Sequence, residues 1–488
     1  MKTRQVEIAI IGAGTAGLSA YREARKYTDN LVLIEGGHHG TTCARVGCMP
    51  SKLLIAAAEH AHRIQHNGVF GVDYQPPAID GAAVLKRVRD ERDRFVSFVI
   101  DSVNEFPAEH KLHGCAKFIS RNELEITTAE GVSSRVQAER IIIATGSSSF
   151  VPDVLKDAGK RLLISDDIFE LETLPKSVAV FGPGVIGLEL GQALSRLGVR
   201  VAVFGRSGQL AFIKDPAICE YADAEFNREF YLDLKADVNK VYAHKDSVVV
   251  EYRHRQKGMI AEHFDYVLAA TGRRPNVGEL ALEKANLELD DKGIPLHDRY
   301  TGQCGSSSIY IVGDVSNDIP LLHEAADEGR IAGGNAGRSL RNSDEVRAGL
   351  RRTPLSVVFT DPQIASVGLS LADIRKNCSD CYAIGEVSFE NQGRARVMNI
   401  NRGLLRVYGE KGTGLLLGAE MFGPAAEHIA HQLAWVIQLR LTVSQILDLP
   451  FYHPVLEEGV RTALRDLNHN LLKGPQMPSG CLDCGPGA

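Results

Sequence analysis

The sequence holds no apolar run approaching the roughly 20 residues that a membrane-spanning helix requires. It carries no surplus of positive charge: the formal net charge is −6. That argues against nucleic acid or an acidic membrane surface as the main partner. The opening Met1-Lys2-Thr3-Arg4 passes through the short apolar stretch Ile8-Ala9-Ile10-Ile11 straight into a glycine-rich turn. This stretch is too short for a secretory signal, and no cleavage site follows it. Cysteine is sparse, nine in 488 residues, which excludes a disulfide-stapled scaffold. A cytoplasmic setting is therefore expected, with any disulfide there having a catalytic role. What remains is an ordinary globular composition, 44% hydrophobic and 24% charged. At this length one core is too few, and about three domains are expected.

Two of the cysteines sit in Cys43-Ala-Arg-Val-Gly-Cys48, followed at once by Met49-Pro50-Ser51-Lys52. Residues five apart on a regular helix are turned away from each other at about 100° per residue, so the bend Gly47 allows is needed to bring them together. A helix is expected over residues 51–59, with Pro50 in its first turn, where the missing N–H costs nothing. Cys48 would then lie near a helix N-terminus, which favours a thiolate.

The pair comes 31 residues after Gly12, in Gly12-Ala13-Gly14-Thr15-Ala16-Gly17. A buried strand, Val6 to Ile11, runs into this turn; a helix follows, then a second strand, Leu31 to Ile34, ending at Glu35. This is the dinucleotide-binding pattern. Gly12, Gly14 and Gly17 permit the tight turn and close approach of a pyrophosphate, and Glu35 is placed to accept from ribose hydroxyls. The unit recurs at Gly182-Pro183-Gly184-Val185-Ile186-Gly187, with a strand Val178 to Phe181 before it and a strand Val199 to Phe204 after it. Two such units imply two dinucleotides, and a disulfide beside one suggests a flavin between nicotinamide and sulfur. The position matching Glu35 is Gly205, followed by Arg206. An arginine there accommodates a 2′-phosphate and leans the second site toward NADP(H).

These features resemble the class I pyridine nucleotide-disulfide oxidoreductases, the family of dihydrolipoyl dehydrogenase, glutathione reductase and mercuric reductase. The resemblance covers about residues 5 to 470 and is carried by seven motifs in order: the two Gly-rich turns, the Cys43–Lys52 segment, Ala144-Thr145-Gly146, Ala270-Thr271-Gly272-Arg273-Arg274-Pro275-Asn276, Gly313-Asp314, and His453-Pro454-Val455-Leu456-Glu457-Glu458. It implies an α/β fold: two Rossmann-like dinucleotide-binding domains, for FAD and NAD(P), plus an α+β C-terminal dimerisation domain. The expected division is 1–150 for FAD, 151–272 for NAD(P), 273–348 completing the FAD site, 349–470 for the interface, and a tail over 471–488.

Carried over residue by residue, Gly12, Gly14, Gly17, Glu35, Thr42, Ala144, Thr145, Gly146 and Asp314 contact FAD. Gly182, Gly184, Gly187, Arg206 and Gly272 contact NAD or NADP. Cys43 becomes the interchange thiol and Cys48 the thiol against the flavin. Lys52 and Glu189 match a pair near the flavin's reactive nitrogen. Glu458 orients His453, which takes the substrate thiol's proton. In the family this histidine serves the partner's disulfide, so a homodimer is implied. The apolar stretch Ile429 to Leu439 fits its interface domain.

Pro-Ser-Lys after Cys48 and Val185-Ile-Gly-Leu-Glu189 look most like dihydrolipoyl dehydrogenase, so the expected substrate is a small dithiol or disulfide, including protein-bound lipoyl groups. The alternatives are an NADPH-dependent reductase of another disulfide and a non-catalytic scaffold of a 2-oxo acid dehydrogenase complex. Mercury reduction is disfavoured by the His-Pro dyad. Three departures suggest a divergent branch: Gly40-Thr41-Thr42 where the family has Gly-Gly-Thr, Ala44 after the first cysteine, and Tyr452 before the histidine. The Pro- and Gly-rich tail with Cys481-Leu482-Asp483-Cys484 could be a relay, a metal scavenger or inert. No metal site is expected, including one shared with Cys378 and Cys381, and Cys115, Cys219 and Cys304 are expected to be packing residues.

Overall fold

The computed structural model describes residues 3–65, 67–72, 75, 77–342, 345–377 and 380–471. The chain folds into two compact units, each assembled from separate stretches: Met1–Leu53, Lys86–Phe150 and Gly272–Arg351 in one, and Leu54–Leu85, Val151–Thr271 and Arg352–Ala488 in the other.

In the first unit the strand Thr3–Ile11 lies between Leu31–Glu35 and Ser133–Ile143, parallel to both. Ile309–Ile311 adds in parallel to Ser133–Ile143. Such a sheet is covered on both faces, so its strands read as continuous apolar runs. Ile8 and Ile10 pack into one core and Ala9 and Ile11 into another, all essentially inaccessible. Because both faces are buried, the side-chain alternation of a strand leaves no polar position in this run.

The second unit repeats the theme in the parallel strands Ser177–Phe181, Arg200–Phe204, Tyr231–Asp233, Tyr266–Ala269 and Leu162–Ile164. An antiparallel meander, Val238–His244, Ser247–His254 and Gly258–Phe264, packs Val241, Val248 and Val250 into the same core. A separate antiparallel sheet of five strands lies between residues 355 and 423. The helices Ala426–Gln438 and Glu458–Asn470 cover it through Ile429, Leu433, Ala463 and Leu467.

The helix expected over residues 51–59 is longer, Cys48–Gln65. Pro50 is tolerated inside it because it falls within the first turn, where its N–H would have no acceptor. No helix among the described residues is long and apolar enough to cross a membrane.

Candidate active site

The first Gly-rich turn is shaped by close backbone approach. Gly12 has φ +104, and a Cβ there would stand 2.3 Å from the Ala144 carbonyl oxygen. A Cβ on Gly17 would stand 1.8 Å from the Gly12 carbonyl oxygen. At Gly14 the same position meets nothing within 4 Å, so the space before the N-terminus of helix Thr15–Ala24 is open. That open mouth, with its unpaired backbone N–H groups, fits a pyrophosphate. Glu35 borders it: Oε2 accepts from Ala13 N–H at 2.7 Å and Oε1 from Gly37 N–H at 2.8 Å. Each oxygen keeps a lone pair for a ribose hydroxyl. The residues therefore fit the adenosine diphosphate portion of FAD.

Ala144-Thr145-Gly146 follows the strand Ser133–Ile143. Ala144 N–H donates to Ile11 O at 2.8 Å, and the Thr145 hydroxyl donates to the Asn276 carbonyl at 2.8 Å. Asp314 accepts from the Ser147 hydroxyl at 2.7 Å. Gly313 N–H donates to Glu328 at 2.7 Å, and Glu328 is held by Arg351 at 2.8 Å. Ser147, Glu328 and Arg351 carry no motif, and the sequence reading did not single them out.

Cys43 lies in the short helix Thr42–Val46, and Cys48 opens the next helix. Gly47 breaks the two, with φ −121 and ψ −114. A Cβ on Gly47 would stand 3.1 Å from Thr42 O, so the bend works by small size rather than by left-handed backbone. Cys43 and Cys48 are not disulfide-bonded in this structure; Cys48 is exposed and Cys43 half-buried. The pKa of Cys43 is pushed up, first by its hydrogen bond with Cys48, then by burial and by charge on Cys48, while Lys52 opposes the shift. Lys52 Nζ lies 3.3 Å from the Ser51 hydroxyl.

Thr41, ahead of this pair, has φ 58 and ψ 149. That conformation is natural for glycine and strained for a β-branched residue. Its hydroxyl accepts from Ala44 N–H at 3.3 Å, capping the helix that carries Cys43.

A cavity of about 440 Å³ opens beside Cys43. Leu18, Ala44, Met49, Phe95, Phe98 and Leu322 line it together with Thr15, Ser19, Arg22 and Ser102, and Phe98 is 57% exposed. These residues come from four separate stretches, and Leu18, Phe95, Phe98 and Leu322 belong to no motif.

The second turn copies the first. Gly182 has φ +107, and a Cβ there would stand 2.3 Å from the Ala270 carbonyl oxygen. A Cβ on Gly187 would be 1.9 Å from the Gly182 carbonyl oxygen, and at Gly184 it would meet nothing. Gly272 has φ +109 and is likewise open. Arg206 is exposed in the loop beyond the strand Arg200–Phe204.

Glu189 is buried in the helix Val185–Arg196 and accepts from Phe359 N–H at 3.0 Å. His453 Nδ1 lies 2.7 Å from Glu458 Oε1, and Glu458 Oε2 accepts from Val455 N–H at 3.1 Å. Glu458 is buried while His453 is exposed, so a fixed carboxylate presents the imidazole to its surroundings.

Cys304 is buried, and burial raises its thiol to about 12. Cys219 is half-buried and also raised, chiefly by burial. Cys115 departs from the expected packing role: it is exposed, at the end of a strand beside the Gly36 turn. Cys381 is disulfide-bonded, which removes it as a thiolate ligand. Cys378, Cys481 and Cys484 lie outside the described residues. Among the described residues no cluster of three His, Cys, Asp or Glu side chains could hold a metal ion.

Residues 6–329 match the family described as pyridine nucleotide-disulphide oxidoreductase, and residues 355–464 match its dimerisation domain. The chain is 32% identical to the mercuric reductase of Shigella flexneri, over 96% of this chain and 81% of that one. It is 30% identical to the dihydrolipoyl dehydrogenase of Chlamydia pneumoniae, over 96% and 98%. The fold is similar to that of LpdA from Mycobacterium tuberculosis, with TM-score 0.79 and 22% identity, covering 95% of this chain and 99% of that chain.

Proposed function

The chain belongs to the pyridine nucleotide-disulphide oxidoreductase family, whose cofactors are FAD and NAD(P), and on that footing we propose that it interconverts an apolar dithiol and its disulfide, with the dihydrolipoyl group as substrate. The observation that carries this reading is the cavity beside Cys43. Its walls of Leu18, Met49, Phe95, Phe98 and Leu322 suit a five-membered disulfide ring on an aliphatic chain.

In the oxidising direction His453 takes a proton from the first substrate thiol. The thiolate attacks Sγ of Cys43 in the Cys43–Cys48 disulfide, the S–S bond breaks, and Cys48 leaves as a thiolate. The second substrate thiol attacks the mixed disulfide, releasing cyclic disulfide and leaving Cys43 as a thiol. Two electrons have then moved from substrate to the cysteine pair. FAD, when bound, supplies the two-electron connection between the cysteine pair and NAD(P). Lys52 and Glu189 are assigned to the surroundings of its reactive nitrogen.

The second matched stretch supports a homodimer, and His453 and Glu458 lie within it. The reading therefore assigns the dyad of one protomer to the cysteine pair of its partner.

The test is steady-state oxidation of dihydrolipoamide by the purified flavin-containing protein, with NAD and NADP side by side and glutathione disulfide reduction as the comparison. Turnover of dihydrolipoamide well above glutathione is expected. Flavin-loaded protein that ignores dihydrolipoamide and reduces glutathione disulfide would sink the proposal.

A further inference from the structure

The helix Leu322–Ser339 meets the helix Thr15–Ala24 at backbone distance. A Cβ on Gly329 would stand 2.1 Å from the Ala16 carbonyl oxygen, and one on Gly333 would stand 2.4 Å from that of Ala20. Residues four apart share a helix face, and glycine at both lets the two backbones touch. The long helix is thereby seated on the helix that begins in the first Gly-rich turn.

Glu328, one residue before Gly329, is buried, and its Oε2 accepts from Gly313 N–H at 2.7 Å. Gly313 has φ +76, and a Cβ there would stand 2.8 Å from Ala16 Cβ. The same alanine therefore bounds both the long helix and the Gly313-Asp314 turn. Asp314, next in the chain, accepts from the Ser147 hydroxyl at 2.7 Å.

The Glu328 carboxylate is braced in turn. Arg351 Nη1 donates to Glu328 Oε1 at 2.8 Å, and Arg351 Nη2 lies 2.8 Å from Glu324 Oε2. All three side chains are less than a tenth exposed. Two carboxylates four apart on one helix repel each other, so Arg351 is what permits both to be buried. Burial pushes the Glu328 carboxyl up, while Arg351 and the Gly313 N–H hold it down.

We propose that Glu328 and Arg351 are positioning residues for the flavin, holding the Gly313-Asp314 turn in register with the first Gly-rich turn so that FAD meets both as one rigid surface. They act through Gly313 and need no contact with FAD themselves. Glu328 is the one side chain of this brace that joins the seated helix to the turn, and Arg351 keeps its charge in place. The inference rests on the family assignment for the presence of FAD, and is independent of which disulfide is turned over.

The experiment follows FAD release from the purified holoenzyme, as a rise in flavin fluorescence well below the melting temperature, together with the visible flavin spectrum and the melting temperature itself. The variants are Glu328→Ala, Glu328→Gln, Arg351→Lys and Ile331→Ala. Ile331 is a buried apolar residue of the same helix and lines the same small cavity as Glu328, so its truncation reports lost stability alone. Glu328→Ala should release FAD at least about tenfold faster and alter the flavin absorption bands, because the Gly313 N–H loses a charged acceptor. Glu328→Gln keeps an acceptor and should release FAD more slowly than Glu328→Ala. Arg351→Lys keeps the charge but loses the fork, and should speed release by less than Glu328→Ala does. Ile331→Ala should lower the melting temperature and leave release and spectrum near those of the wild type. Release from Glu328→Ala no faster than from Ile331→Ala overturns the inference, as does a Gln variant no better than the Ala variant. Should Glu328→Ala emerge without flavin, wild-type release and spectrum in both Glu328→Gln and Arg351→Lys overturn it. The assay contains no dithiol, so its outcome is separate from that of the dihydrolipoamide test.

Discussion

The turn at Gly12–Gly17 and the turn at Gly182–Gly187 are near copies, yet the strands that follow them end differently. In both, the first glycine would collide with an alanine carbonyl at 2.3 Å, and the third with the first glycine's carbonyl at 1.8 or 1.9 Å. The first glycine's N–H reaches the end of the next strand at 2.8 Å in each, on Ile34 O and on Phe204 O. After those strands one unit carries Glu35, bonded back onto its own turn through Ala13, and the other carries Gly205, sealed by Leu234. Backbone approach fixes the pyrophosphate cradle, so it cannot vary. The loops after the second strands differ instead, because packing from elsewhere, at Leu234, decides which side chain can stand there.

The largest expected effect separates the two turns from the sulfur chemistry. Cys48→Ser should lower dithiol oxidation by at least about three orders of magnitude. Electron transfer from the nicotinamide nucleotide to a dye uses both nucleotide sites but no cysteine, so it should persist. Equal loss of both rates, with flavin content normal, would contradict the assignment of the pair.

Next comes the pair Gly17→Ala and Gly187→Ala. Each added methyl forces backbone apart, at a cost of about 1–3 kcal/mol or more. The first should yield protein depleted of flavin by absorbance. The second should retain flavin and lose affinity for the nicotinamide nucleotide. Identical phenotypes would break the division of labour between the turns.

A smaller effect is expected in the loop after the first unit. Thr41 is strained at φ 58, whereas no such outlier occurs in the loop 205–208, where the one positive φ belongs to Gly208. Thr41→Gly should relieve strain of about 1–3 kcal/mol, offset in part by the lost cap of about 1 kcal/mol. A modest rise in the denaturant midpoint is the expected readout; a fall would mean the cap outweighs the strain.

The smallest effect concerns a clasp beside Gly313. His297 Nε2 lies 3.4 Å from Asp318 Oδ2, and both border a small cavity with Glu328. The hydrogen bond with Asp318 raises His297 and, in return, lowers Asp318. A raised histidine stabilises fully below its unfolded value of about 6.5 and loses that as pH rises through its folded value. A lowered aspartate stabilises above about 3.9 and loses that as pH falls through its folded value. The clasp should therefore stabilise the fold between the folded values of Asp318 and His297, and fade as pH rises through that of His297. His297→Gln should flatten that part of the stability profile; an unchanged slope would show the pair contributes nothing.

Much of the fold was legible because its signals are local. The two strand-turn-helix-strand units lie within stretches of some two dozen residues, and the glycine spacing is dictated by contacts inside each stretch. The His453–Glu458 pair is also close in sequence, and its 2.7 Å contact agrees with the dyad that the family resemblance implied. The helix after Cys48 extends beyond the expected 51–59 at both ends, Cys48–Gln65, because a proline in the first turn lets the helix start upstream of itself. Ser147, Glu328 and Arg351 were not legible, since a polar residue far along the chain gives no sign of which loop it will brace.

The sequence by itself determined the family, the two nucleotide units, the cysteine pair and the dyad, since each is encoded by residue types at short separations. Tertiary structure alone decided the rest. The apolar cavity at Cys43 joins residues from Leu18 to Leu322, and the closure of Gly205 depends on Leu234. In both cases the chemistry is set by atoms that are neighbours only after the chain has packed, and no local pattern records which atoms those will be.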